Sequence, residues 1–178
     1  MDRKEFLRSV CGVGVCGCVA GILDTATPAW SEEPPADDQR LLFARYQLSK
    51  LLGFMAADLP APACAAVLEK TGRECARLGQ LGVKFKGNPE GYFATAKAAW
   101  GTEFAWDREE GIVTVTVAEG PCGCPLVDAK RTPAAWCTCS VGYQKESFEA
   151  IFERPVQARL KESKLGGAAR CVFEVTVS

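Results

Sequence analysis

Two Cys-x-Cys pairs, Cys122-Gly123-Cys124 and Cys137-Thr138-Cys139, stand fifteen residues apart in a chain without histidine. Thiols in such a pattern can hold a soft metal ion, pair as disulfides, or act as nucleophiles once ionised. Pro121, Gly123 and Pro125 keep the first pair out of regular helix. In extended backbone, residues two apart point the same way, so Cys122 and Cys124 can present both sulfurs to one point. The second pair has two readings. If Thr132 caps a helix with Pro133 in its first turn, Cys137 and Cys139 lie about 200° apart around it and only one can face a shared site. If the helix starts at Ser140, both can converge, and Cys139 then sits where the helix dipole favours thiolate. Cys171 falls on the inward side of the last strand and can close the group. Four of these five thiols would make a tetrahedral sulfur site for zinc, with a carboxylate such as Glu162 as the available substitute for histidine. Cys122, Cys124, Cys137, Cys139, Cys171 and Glu162 are therefore the candidate metal ligands. Disulfides are the second reading and reduced, reactive thiols the third. The spacing is neither the Cys-x2-Cys of zinc knuckles nor a ferredoxin pattern.

Charge narrows the partners. With 21 Lys+Arg against 22 Asp+Glu the net charge is −1, which gives no basic footprint for nucleic acid. There is no glycine-rich phosphate loop, and without histidine no ordinary triad base for a serine nucleophile. The carboxylate pairs Glu109/Glu110 and Glu146/Glu149 read as a turn and the polar side of an amphipathic helix, hence solvated surface. Trp100, Trp106 and Trp136 are candidates for lining an apolar pocket.

Residues 1–31 read as an export signal: a basic start, an uncharged run from Ser9 to Leu23, then Ala29-Trp30-Ser31 as a small-x-small cleavage site. The run is shorter than the roughly twenty residues that span a bilayer. Arg3-Lys4-Glu5-Phe6-Leu7 resembles the twin-arginine export motif, with Lys4 in place of the second arginine. Val15-Cys16-Gly17-Cys18 resembles a lipoprotein processing box, which makes a lipid on Cys18 a route to membrane anchoring. The protein is thus expected in the periplasm or cell envelope. Cys11, Cys16 and Cys18 fall in the signal, so seven cysteines remain beyond it, an odd number that cannot all pair within one chain.

Residues 32–36 form a short proline-containing linker. From Asp37 onward, Leu41, Leu42, Tyr46, Leu48, Leu52 and Met55 recur near helical spacing, and Pro60 and Pro62 end that helix. A second helix follows through Ala63-Cys64 to the glycines at 79 and 82. On it Cys64 and Cys75 share a face but stand about 16 Å apart, too far to bridge. Residues 90–100 read as a shorter helix. Then the period changes to two: 102–106, a turn at 107–111, and Val113, Val115 and Val117 alternating with threonines make a hairpin. Val156, Ala158 and Leu160, and later Cys171, Phe173, Val175 and Val177, mark two more strands. Val141, Phe148, Ile151 and Phe152 place a helix before them. The expected fold is a single α+β domain over 37–178: N-terminal helices packed on a four-strand, mostly antiparallel sheet with a helix inserted between its hairpins.

The run Cys122-Gly123-Cys124-Pro125 and the string from Trp136 to Val177 resemble the C-terminal part of the L-2-amino-thiazoline-4-carboxylic acid hydrolase-like family. More distantly they resemble the 4-vinyl-reductase small-molecule-binding domain. The shared elements are Cys139 followed by Gly142-Tyr143, Pro155-Val156, Glu162-Ser163 before a glycine turn, and Cys171-x-Phe173. The second resemblance implies a zinc beside an aromatic-ligand pocket, held by cysteines and a glutamate. Cys139, Glu162 and Cys171 match those positions, Leu165 stands where another cysteine belongs, and Cys137 or the Cys122/Cys124 pair can supply the missing ligand. The first resemblance implies opening of a cyclic C–N bond, with Cys139 or Cys137 as the reactive group. The leading expectation is an exported domain that binds a small molecule and a metal ion. A C–N hydrolase is the first alternative and a disulfide-stabilised envelope protein the second.

Overall fold

A computed structural model describes residues 36–178, so the expected export segment and its Cys18 lipid site lie outside the described residues. Helix α1 spans Ala36–Asp58. Of its apolar positions, Leu48, Leu52 and Met55 form a stripe of spacing four and three that packs inward. Leu42 and Tyr46, expected on the same face, are exposed, as are Phe43 and Phe54. Among the described residues, no helix is long and apolar enough to cross a membrane.

Pro60 stops α1 and serves as the N-cap residue of α2, Ala61–Gly79, with Pro62 where its missing N–H costs nothing. The second helix is shorter than expected. Gln80 takes a left-handed conformation (φ 51°) that breaks it before Gly82, and the single turn α3 follows over Leu81–Lys84. Helix α4, Pro89–Trp100, is capped by Asn88, whose side-chain oxygen accepts from the Gly91 N–H at 3.0 Å. Gly101 ends it at φ 64°, a conformation that glycine adopts without penalty.

The strands follow as expected: β1 Glu103–Asp107, β2 Ile112–Thr116, β3 Val156–Glu162 and β4 Val172–Val177. They form one sheet of order β1-β2-β4-β3, antiparallel throughout. Helix α5, Cys137–Phe152, connects the two hairpins, so the α+β architecture is the one the periodicity implies. Val113, Val115, Val156, Ala158, Phe173 and Val175 supply the inner face of the sheet, and Tyr92, Ala96, Phe148 and Ile151 cover it from α4 and α5. Phe93 stacks on Phe104 at 4.4 Å, and Trp106 meets Phe152 edge-on at 5.2 Å.

Helices α2 and α5 approach until their backbones touch. A methyl group placed on Gly72 would stand 1.7 Å from the Cys139 carbonyl oxygen, and one on Gly142 only 1.9 Å from that of Glu69. Beside this seam Arg73 donates to Glu149 at 2.7 Å and to Glu146 at 2.9 Å. Arg77 Nε donates to Glu146 at 2.7 Å, and Lys145 to Glu69 at 2.9 Å. Glu146 and Glu149, expected as free surface, instead lie partly buried in an inter-helix ion network.

Gly72→Ala and Gly142→Ala are each expected to destabilise the domain by about 2 kcal/mol or more, since neither contact can yield without moving backbone. Gly53→Ala in α1, where an added methyl meets nothing within 4 Å, should instead stabilise by about 0.5 kcal/mol. Urea unfolding midpoints of the three variants check both signs. The network also has a pH signature. Hydrogen bonds from Arg77 first, and then Arg73, hold Glu146 below the usual carboxylate range against the opposing effect of burial. Its stabilisation is then complete above about pH 4.3 and is lost as pH falls through the lowered folded value. Glu146→Gln should remove about 1 kcal/mol at neutral pH and flatten the acid limb of the stability profile.

Candidate functional site

The helix carrying the second thiol pair starts before the pair. A 3-10 turn, Ala134–Trp136, runs directly into α5 at Cys137. Cys137 and Cys139 therefore share the first turn of α5 and point to different sides. Cys137 is buried against the Ser163 side chain and the Leu165 backbone, with Cys171 and Cys122 nearby. Cys139 has Cys75 and Cys124 as neighbours. The second pair is thus split across α5, whereas Cys122 and Cys124 stay together and line one hollow.

This corrects the reading in which Cys139 precedes the helix as a favoured thiolate. Burial pushes its thiol up to about 11, and the nearby Cys75, Cys124 and Cys137 add to the shift. Burial likewise raises Cys137, opposed by donors from Ser163 and Leu165. Both stay protonated at neutral pH, the form least suited to nucleophilic attack. Cys64 donates to the Met55 carbonyl at 3.0 Å, well away from the group. All seven cysteines among the described residues are free thiols.

A zinc site needs four donors converging on one point. Among the described residues, no three Cys, Asp or Glu side chains come together in a group that could hold a metal ion. Glu162 stands exposed at the end of β3. The segment between the two pairs is secured by other means. Val127 and Trp136 are buried with Leu52 and Leu68, and the sulfurs of Cys122, Cys124 and Cys139 belong to residues packed against that cluster. Arg45 Nε donates to the Pro125 carbonyl at 2.7 Å, and Lys164 Nζ to that of Pro121 at 3.1 Å. The Asp128 N–H donates to the Thr132 hydroxyl at 3.0 Å.

Packed this way, the segment walls off a hollow of about 430 Å³. Tyr92, Ala96 and Trp100 line it from α4, Val115 and Val117 from the sheet, and Tyr143 and Gln144 from α5. Pro121, Gly123 and Lys164 close its rim. A second hollow of about 150 Å³ shares Val117, Gly123, Tyr143, Gln144 and Lys164, and reaches Cys122, Cys124 and Cys171. Cys122, Cys124 and Cys171 are thus wall residues of a cavity, and Cys137 and Cys139 are not. Of the three tryptophans expected there, only Trp100 lines it; Trp136 is buried in the second cluster and Trp106 packs on Phe93 and Phe152.

Gln144 was not foreseen as a site residue. It is 8 % exposed, and its side-chain oxygen has no hydrogen-bond partner. Leaving such a group unpaired costs about 1–3 kcal/mol. The sequence does carry a signal: Gln144 stands on the apolar stripe Val141, Phe148 and Ile151, where a polar side chain is out of place.

Residues 93–178, a little under half of the chain, match the profile of a family of unknown function, DUF6144. The match takes in the sheet, α5 and the whole thiol segment. No curated protein matches the chain. Among solved structures, a trafficking protein particle complex subunit 3 from Naegleria fowleri, described as covalently bound to palmitic acid, aligns with a TM-score of 0.52 at 18% identity, over 80% of this chain and 96% of that one. That likeness is one of fold. A vinyl-4-reductase family protein from Methanocaldococcus jannaschii aligns at TM-score 0.40 and 15% identity, over 83% and 85%.

Alkylation mapped residue by residue checks the thiol placement. Cys75, exposed on α2, should react fastest at pH 7.5, with Cys137 and Cys139 at least about tenfold slower until the chain is unfolded. The rate at Cys139 should keep rising with pH toward 11.

Proposed function

We propose that the domain binds a small, largely apolar ligand in the hollow between α4, α5 and the end of β2. The observation that carries this reading is the hollow itself. Its volume of about 430 Å³ falls within the range of small-molecule sites, and its wall combines aromatic and aliphatic side chains with a few convergent polar groups. The thiol segment serves as the outer wall. Its cysteines act chiefly as compact, polarisable packing groups. Zinc has no part in this reading, since among the described residues no three Cys, Asp or Glu side chains come together in a group that could hold a metal ion. A C–N hydrolase is the weaker alternative. Cys137 and Cys139 are held protonated, and the groups around them are thiols, the Ser163 hydroxyl and the Leu165 backbone, none of which is a general base.

Gly123 offers a direct test. It lines both hollows, and a Cβ added there would meet nothing within 4 Å, so Gly123→Phe introduces bulk at the cavity wall with no clash at its point of attachment. Indole is the probe, titrated by calorimetry. Binding to the natural chain that weakens at least about tenfold in Gly123→Phe, with an unchanged unfolding midpoint, supports the reading. Equal binding by both proteins would put indole elsewhere and remove the hollow as the site.

A further inference from the structure

The outer side of α1 is at least as rich in large apolar side chains as its packed side. Phe43 and Phe54 are 65 % and 64 % exposed, Leu51 55 %, Leu42 45 % and Tyr46 44 %, while the helix is held to the domain through Leu48, Leu52 and Met55. At about 100° per residue, Phe43, Gln47, Lys50 and Phe54 form one stripe roughly 140° around the axis from that inward one. The five exposed side chains leave on the order of 500 Å² of mostly apolar surface on a single helix face, as much as the largest patch of an ordinary monomer. We propose that this face pairs with the same face of a second copy of the chain, the two α1 helices running antiparallel about a two-fold axis centred between Leu48 and Ser49.

The face is complementary to itself in that arrangement, as a closed two-fold contact requires. Phe43 and Phe54 are equidistant from the midpoint, so each ring of one copy meets the other ring of the second at both ends of the contact. Leu51 stands over the small, exposed Ala44 of the second copy. At the centre Gln47 is level with Lys50 of the second copy, whose ammonium rests 5.5 Å from its own Tyr46 ring and keeps donors for the amide oxygen. Arg40 comes beside Asp58 of the second copy, both of them exposed, so opposite charges close the contact at either end. A parallel pair would instead set Lys50 against Lys50 and Arg40 against Arg40, which like-charge repulsion disfavours. With the exposed Ala44, Gln47, Lys50 and Ala57 added, the pair buries on the order of 1,200 Å² in total, within the range of specific interfaces. An anionic lipid surface fits less well, since it calls for a row of basic residues beside the apolar face and Asp58 stands there.

Sedimentation equilibrium of the full chain tests the pairing and its direction. The natural chain should have the mass of two copies and dissociate with a constant at or below about 10 μM. Phe43→Glu and Phe54→Lys should each raise that constant at least about hundredfold and leave the circular dichroism spectrum unchanged, because both rings are exposed in the single chain. An equimolar mixture of these two variants should form a mixed dimer within about tenfold of the natural affinity. In it the introduced glutamate meets the introduced lysine at one end and the two remaining rings meet at the other. Leu51→Asp, on the flank of the stripe, should break the dimer as well and replaces either variant that fails to fold. A monomer at every concentration overturns the proposal and leaves the face to another occupant, a lipid surface included. A dimer indifferent to all three substitutions is built on another surface, and a dimer that each substitution breaks but mixing does not restore is not antiparallel; either result overturns the proposal too.

Discussion

The arrangement of this domain depends on the touching of two helix backbones. Gly72 on α2 lies against the Cys139 carbonyl, and Gly142 on α5 against that of Glu69, at separations no side chain could occupy. Because α5 joins the two hairpins, its distance from α2 also fixes how the helical layer lies on the sheet. The reciprocal placement of one glycine on each helix prevents sliding: a shift of one residue along either axis would drive a Cβ into a peptide group. Arg73, Arg77, Glu146, Glu149 and Lys145 then line the edge of the seam, where partial exposure limits each ion pair to a modest contribution and their number matters more. Steric exclusion sets the geometry here, and electrostatics reinforces it.

The same contact dictates what the thiols can do. With the Cys139 carbonyl pressed onto Gly72, the first turn of α5 cannot rotate, so Cys137 and Cys139 are committed to opposite sides. Desolvation follows directly, because one sulfur is enclosed by the Ser163–Leu165 turn and the other by α2 and the Cys124 region. Sulfur suits such places. It is smaller than a branched aliphatic group, polarisable, and only a weak hydrogen-bonding group, so it fills space near backbone without demanding a partner.

How legible this was from the sequence differs by element. The strands were readable because Val113/Val115 and Phe173/Val175 alternate strictly and each run is bounded by turn residues. Helix identity was equally plain, but the end of α2 was not, since the break at Gln80 is a non-glycine residue in the left-handed region. Gly72 and Gly142 were visible as glycines in helical segments, yet their meaning lies in a partner backbone some seventy residues away, which no local pattern encodes. The cysteines attracted attention by number and spacing. Which face each takes depended on whether α5 starts at Cys137 or Ser140, a difference of three residues that falls within the ordinary uncertainty of helix ends. Sequence spacing located the neighbourhood of the hollow but not the residues that give it chemical character.

Gln144 is where the local rule and the global fold disagree most clearly. Every other requirement of α5 is met by ordinary means: small residues at the seam, Phe148 and Ile151 toward the sheet, and Lys145, Glu146 and Glu149 paired with α2. A leucine at 144 would continue the apolar stripe and remove the penalty of an unpaired oxygen. The Trp106 indole N–H is the other buried polar group without a partner among the described residues, but an indole brings its N–H with the ring it packs, whereas the amide at 144 has no packing role that leucine could not fill. Its position sharpens the argument. Gln144 is one turn from Phe148 and two residues from Gly142, so its backbone is held by the most constrained contact in the molecule. The amide is held rigid and dry, and the cost of desolvating its oxygen is met in folding without a compensating hydrogen bond. The glycine seam that fixes the fold thereby also fixes the one buried amide in the wall of the hollow, and the contact that costs a side chain at 72 and 142 is the same one that holds Gln144 in place.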